Sequence, residues 1–333
     1  MRVVDIKNGK GPISSLFIRE VEKPRPIGMQ ALVKIKAFGI NRMDLIQRDG
    51  LYPLPPQAGP ILGVEFSGVV ESLGDDAGSS FQIGDEVFGL AYGVPVGAYA
   101  DFIAVSTRTL LHKPKELSWE EAAGIPETWI TALQAMYIVG GFEPGKSILW
   151  HAGASSVSIA GIQLSKEGGA STIYTTAGSQ DKIDLTKEIG ATEAYNYRTQ
   201  DWKEALQEAT KGRGVDIVVD FIGGPYFDAN LQVAAKGGHI IALGALGGTD
   251  IRGANLLPFL TKQLKYEGST LRAQSEEYQE RLRDLLACKL EKFVSGELKV
   301  LVDRVFRMED IQEAHGVLER SETKGKIVCT TGL

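Results

Sequence analysis

The residues Trp150-His151-Ala152-Gly153-Ala154-Ser155-Ser156-Val157-Ser158 join a short apolar run, Ser147 to Trp150, to a helical pattern from Ser158 to Lys166. A small-residue turn between a strand and a helix brings backbone N–H groups and the positive helix end together, and anions bind there. In the G-x-G-x-x-G pattern the glycines allow a tight turn, close approach of a pyrophosphate and close helix–strand packing. Gly153 holds the first of those positions, and Ser155 and Ser158 stand at the second and third. Gly153, Ala154, Ser155, Ser156 and Val157 are therefore the candidate pyrophosphate cradle, with serine small enough to fit and able to donate its hydroxyl. The competing reading is an ordinary strand–helix turn.

An NAD-preferring site carries Asp or Glu ~20 residues further on, at the end of the second strand, to hold the ribose 2′-hydroxyl. Here that strand ends Thr175-Thr176-Ala177-Gly178-Ser179, without a carboxylate. Ser179, Lys182 and Tyr197 offer hydroxyls and a cation of the kind a 2′-phosphate takes. The pattern favours NADPH; Asp181 argues the other way, and Lys182 and Tyr197 could be plain surface residues. Phe221 with Gly223, and Gly244 with Leu246, follow two further apolar runs, where ligands of parallel sheets bind; loop or core roles are their alternatives. His151 and His239 read as structural.

The elements that must position these residues change character along the chain. In the first third, Ala31 to Ala37 alternates with period two, and short apolar runs recur at 66–70, 86–88 and 99–105 between turn formers, predicting a compact β domain. In the middle, the runs at 147–150, 172–176, 216–220 and 239–244 are continuously apolar and separated by helical patterns, one of them reaching Glu188. Such strands belong to a parallel sheet covered on both faces, the doubly wound nucleotide-binding arrangement. The tail predicts a long helix over 276–294, strands at 301–306 and 325–330, and a helix at 311–318, with the last strand rejoining the N-terminal β domain.

The bulk numbers agree. The 333 residues are 43% hydrophobic and 23% charged, with a net charge of −6, which suits a two-domain globular chain and disfavours broad nucleic-acid binding. Two cysteines, Cys288 and Cys329, make no disulfide framework. With no apolar signal region at the start and no long apolar run, the expectation is a cytoplasmic protein outside the membrane.

Several stretches together resemble the zinc-free quinone oxidoreductases of the medium-chain dehydrogenase/reductase superfamily, nearly end to end. They are Phe38 to Arg48, Gly50 to Pro53, Leu62 to Gly68, Ile125 to Ala132, Thr176 to Gln180, Gly268 to Arg272 and Gly325 to Val328. The resemblance implies a GroES-like β domain (1–125 and 270–333) and a Rossmann NADPH-binding domain (126–269), with the cofactor in the cleft between them. It also implies a homodimer joined through the Rossmann sheets. It places Thr131 near the nicotinamide, brings Leu271 and Arg272 to the cofactor, and adds Lys326 to the cofactor-binding set. The cradle departs from the family in having less glycine. At the positions where zinc-dependent members carry Cys and His, this chain has Asn41 and Val64, so no metal is expected; Glu65 and His112 do not make a site.

Without a Lewis acid the substrate must accept hydride readily, which quinones and activated enones do. The oxyanion so formed needs donors. Asn41, through its amide, and Tyr52, through its phenol and flat ring, are the candidates. Asn41 could instead stabilise a turn, Tyr52 could pack, and Asp44 could cap a helix or pair with Arg48. The expected activity is reduction of quinones by NADPH. The alternatives are reduction of enone or alkenal double bonds, and a non-catalytic crystallin-like or RNA-binding role.

Overall fold

The computed structural model describes residues 1–56, 58–92 and 97–333. They form two compact units, Met1–Ile130 with Leu271–Leu333, and Thr131–Thr270. The first unit begins with β1 (Arg2–Ile6) and β2 (Leu16–Glu20), paired antiparallel, followed by β3 (Gln30–Ile40), helix α1 (Arg42–Arg48), β4 (Glu65–Leu73), β5 (Glu86–Leu90), β6 (Phe102–Ser106) and β7 (Leu110–His112). The long β3 is the axis of its sheet, antiparallel to both β4 and β6. Its period-two alternation gives way to continuous burial from Ala37 to Ile40 because α2 (Trp119–Ala123) covers the other face, where Ala37, Ala123 and Val328 pack together. Helix α3 (Pro126–Leu133) carries the chain into the second unit.

The second unit contains β8 (Ser147–Trp150), α4 (Ser156–Glu167), β9 (Thr172–Ala177), α5 (Gln180–Glu188), β10 (Glu193–Asn196), α6 (Trp202–Ala209), β11 (Val215–Asp220), α7 (Phe227–Val233), β12 (Ala234–Ala242) and β13 (Lys265–Gly268). The six strands are all parallel, in the order β10-β9-β8-β11-β12-β13. The doubly wound sheet expected from the continuous apolar runs is present, and its strand order reverses between β8 and β11. The chain then returns to the first unit through β14 (Val302–Arg307) and β15 (Lys326–Thr330), the latter antiparallel to β3.

One expectation is corrected. The segment 276–294 is two helices, Glu276–Ala287 and Leu290–Val294. The N–H of Lys289 bonds back to the carbonyl of Leu286 at 2.8 Å, a tighter turn that breaks the α-helical ladder. Among the described residues no helix is long and apolar enough to cross a membrane.

Candidate active site

The cradle at the end of β8 is built differently from the glycine pattern. The turn is made by Ala152, at φ 50°, rather than by a glycine. Gly153 is required for packing: a β-carbon there would lie 2.0 Å from Thr175 Oγ1 on the neighbouring strand. Ser155 caps α4, its Oγ accepting from the Ser158 N–H at 3.3 Å and donating to Ser158 Oγ at 3.0 Å. Ser158 is fully buried and donates to the His151 carbonyl at 2.7 Å. The serines at the second and third glycine positions therefore order the loop, and their hydroxyls are turned inward. With the Ser158 N–H taken by the cap, the first-turn N–H groups of Ser156 and Val157, which helix geometry leaves without carbonyl partners, remain as anion donors. The loop fits a pyrophosphate by its backbone.

At the ends of β9 and β10 the register pairs Asn196 with Ala177, so Tyr197 falls beside Gly178. A β-carbon on Gly178 would meet the Tyr197 hydroxyl at 2.5 Å and Arg198 Nε at 3.3 Å. The sequence reading missed Arg198, although it adjoins Tyr197. Ser179 donates to Asp181, which turns that carboxylate onto its own helix end. Lys182 lies one residue on, in α5.

At the strand-order reversal, Asp220 ends β11 wholly buried, its carboxylate accepting from the Ile222 N–H at 2.7 Å and the Gly223 N–H at 3.2 Å. Burial pushes its pKa up to about 6. The Leu246 N–H donates to the Phe221 carbonyl at 2.9 Å, so the two loops carrying Phe221, Gly223, Gly244 and Leu246 come together. His151 bonds Thr176 Oγ1 at 2.9 Å and Asn230 Oδ1 at 2.8 Å and meets the rings of Trp202 and Tyr226 edge-on. Burial lowers its pKa to about 4, so it is a neutral core imidazole. The Thr131 hydroxyl is buried without a hydrogen-bond partner.

In the first unit, strand register assembles a buried polar cluster. β15 pairs Ile327 with Ile40, which sets Lys326 against Asn41. β4 pairs Phe66 with Phe38, which sets Glu65 against Gly39. Gly39 leaves the room they need: a β-carbon there would meet Glu65 Oε1 at 2.3 Å and Lys326 Cε at 2.7 Å. The Lys326 ammonium is ion-paired with Glu65 and donates to Asn41 Oδ1 at 2.6 Å, while Asn41 Nδ2 donates to Glu65 Oε1 at 2.8 Å. Glu65 Oε2 takes the Glu127 N–H at 2.8 Å. The Glu127 carboxyl, bonded by the Tyr92 hydroxyl, is pushed up to about 7 by burial.

Asp44 caps α1, accepting from the Asn41 N–H at 2.8 Å, and does not pair with Arg48, which bonds Asp49 at 2.8 Å. Leu271 is buried, and Arg272 donates to Gln47 Oε1 at 2.7 Å beneath the half-buried Tyr52 ring. The oxygens that could turn to a metal, Asn41 Oδ1 and Glu65 Oε1, hold an ammonium, and among the described residues no three His, Cys, Asp or Glu side chains form a metal site. These residues do not fit a zinc ion.

Residues 28–115 match the alcohol dehydrogenase GroES-like domain, and residues 156–287 match the family described as zinc-binding dehydrogenase. Quinone oxidoreductase of Mus musculus is 26% identical over 331 residues, 98% of this chain and 97% of the relative. A polyketide synthase subunit of Mycobacterium tuberculosis is 30% identical over 96% of the chain, which spans only 14% of that synthase's length. Among solved structures, an NAD-dependent alcohol dehydrogenase superposes with a TM-score of 0.87 at 32% identity, each chain covered in full. Escherichia coli quinone oxidoreductase complexed with NADPH gives 0.86 at 27%, covering 99% of this chain and 100% of the other. The CurK enoyl reductase gives 0.85 at 26%, covering 99% and 98%. With a GroES-like β unit, a Rossmann unit and relatives of this kind along its whole length, the chain belongs to the medium-chain dehydrogenase/reductase superfamily, as a quinone oxidoreductase-like protein.

Proposed function

We propose that this chain is an NADPH-dependent reductase of quinones that works without zinc. The observation that carries the reading is the end of β9 and β10, where Tyr197 and Arg198 flank Gly178 and the nearest following carboxylates, Asp181 and Asp184, accept from Ser179 and Gln180. A ribose 2′-phosphate is met there by a hydroxyl and a guanidinium, and Ser179 and Lys182 belong to the same end of the sheet. The likeness to quinone oxidoreductases, one of them with NADPH bound, supports it.

Bound NADPH supplies hydride. The chain holds the pyrophosphate on the backbone from Gly153 to Val157, and Phe221, Gly223, Gly244 and Leu246 border it at the strand ends. Thr131, with its unpartnered buried hydroxyl, and Leu271 serve the nicotinamide. Lys326 holds Asn41 by its carbonyl oxygen and Glu65 holds one amide hydrogen, which leaves Asn41 oriented with its second amide hydrogen to donate to the substrate oxygen. Tyr52 donates its phenol and offers a flat ring. Together they stabilise the oxygen on which charge collects, and no Lewis acid is needed for an acceptor as ready as a quinone.

A second reading, reduction of an enone or alkenal double bond, is favoured by the Tyr92–Glu127 pair. That reaction needs a proton delivered to carbon, and a buried carboxyl raised to about 7 holds one near neutrality. In either reading the chain acts as a homodimer: β13 is the edge of its sheet, and Leu256, Leu257 and Leu260 just before it are exposed.

The test is titration with NADPH and NADH, then stopped-flow mixing with 9,10-phenanthrenequinone and an alkenal. NADPH should bind at least tenfold tighter, with the quinone turned over. Failure to bind either nucleotide removes the enzyme reading; turnover of the alkenal alone moves it to the second.

A further inference from the structure

Arg272 and Arg48 are both buried in the first unit, at 4% and 1% exposure. They are treated differently. Arg48 has carboxylates, Asp49 at 2.8 Å and Glu319 at 3.5 Å. Arg272 has no carboxylate within ion-pair distance among the described residues; its one hydrogen bond there is to the neutral Gln47, and its Nε has no partner. Asp44 is near enough to feel its charge, but the Asp44 oxygens are engaged by the N–H groups of Asn41 and Gly63 and by the Tyr99 hydroxyl. A buried guanidinium ordinarily has an anion, because desolvating it unpaired is costly.

Gln47 sharpens the point. Arginine only donates, so the amide oxygen must face Arg272 and the amide nitrogen must face away. That nitrogen, on a residue 5% exposed, also lacks any partner. Two adjacent side chains thus present buried donors, Arg272 Nε and Gln47 Nε2, with no acceptor among the described residues to take them. Tyr52, on the neighbouring loop, lays its ring over the guanidinium at 5.6 Å.

We propose that Arg272 and Gln47 form an oxyanion subsite that takes a carbonyl oxygen of a planar conjugated substrate. The inference rests on the reductase reading above and deepens it. Hydride addition to such a substrate moves its π pair onto that oxygen; the substrate gains two electrons, the nicotinamide loses two, and a proton from water then neutralises the oxygen. A guanidinium with no resident anion is matched to charge that appears only during the reaction, and Gln47 supplies a second donor without cancelling the first.

The discriminating variant is Gln47→Glu. It gives Arg272 the carboxylate it lacks, removes the amide donor and sets a negative charge at the subsite. A structural pair would be improved by this change. The subsite predicts a melting temperature at or above wild type, an NADPH dissociation constant within twofold, and a kcat/KM for 9,10-phenanthrenequinone at least tenfold lower. Arg272→Lys, which keeps the charge and loses the fork, should also lower kcat/KM at unchanged NADPH affinity. A planar anion that cannot be reduced, 2-naphthoate, should quench wild-type fluorescence with at least tenfold higher affinity than it does in Gln47→Glu. Retained kcat/KM in Gln47→Glu overturns the subsite, and a parallel loss of NADPH affinity moves Arg272 to the cofactor. If wild type reduces neither quinone nor alkenal, the reductase reading fails, and the 2-naphthoate titration alone decides the subsite.

Discussion

Removing the Lys326 ammonium tests the buried cluster most directly. Lys326→Met leaves Glu65, which is fully buried, without its cation, retaining among the described residues the donors Asn41 Nδ2 and Glu127 N at 2.8 Å each. Breaking a buried ion pair from one side costs about 3–5 kcal/mol, because the remaining charge is uncompensated. The two surviving hydrogen bonds place this site at the lower end, about 3 kcal/mol. For a unit of roughly 190 residues each kcal/mol moves the melting temperature by about 2–4 °C, so the first unit should melt about 6–12 °C lower. Glu65→Gln should cost a similar amount by stranding the ammonium. The double variant, with both charges gone, should recover at least half of the summed loss, since a neutral pair carries no desolvation debt. Calorimetry of the four proteins at pH 7 reads all of this. A fall below about 2 °C in Lys326→Met, or strict additivity in the double variant, would refute the claim that the pair is a coupled buried unit.

Three further outcomes follow from the same geometry. Arg198→Ala should weaken NADPH binding about tenfold and leave NADH binding unchanged in fluorescence titration; equal losses for both would place Arg198 away from the 2′-phosphate. Gly161→Ala should destabilise the second unit by about 1–3 kcal/mol, read by urea unfolding, because the new methyl would lie 2.3 Å from the buried Trp150 ring in the α4–β8 contact. His151 has a folded pKa of about 4 against 6.5 unfolded, so its contribution is fully present above pH 6.5 and is lost as pH falls toward 4. Unfolding free energy should therefore drop on acidification across that window by up to about 1.4 kcal/mol per pH unit from this group, and His151→Gln should flatten the slope; an unchanged slope would show that the imidazole is not held neutral.

How much of this was legible in the chain itself depends on the range of the interaction. The continuous apolar runs of β8, β9, β11 and β12 follow from burial on both faces, and burial writes itself into consecutive residues; that was enough to specify a doubly wound sheet. The missing carboxylate after Ala177, the hydroxyl of Tyr197 and the lost cysteine and histidine at 41 and 64 are likewise facts of residue type. Strand β13, Lys265-Tyr266-Glu267-Gly268, carried no signal, because an edge strand with two charges in four residues has no apolar run to show. The break at Cys288–Lys289 was also hidden, since both flanking helices share ordinary helical composition.

The chemistry of the first unit was decided by register. Lys326 and Asn41 are 285 residues apart, and only the pairing of β15 with β3 makes them partners. Glu65 joins them because β4 lies on the other side of β3 and Gly39 leaves the space. The same is true of Gln47 and Arg272, 225 residues apart, whose unpartnered donors exist only once both are buried together. Residue type and period determine which elements form and what chemistry each can offer. Which side chains share a buried volume, and which donors are left without acceptors, is a property of strand pairing between distant segments, and no local pattern encodes it.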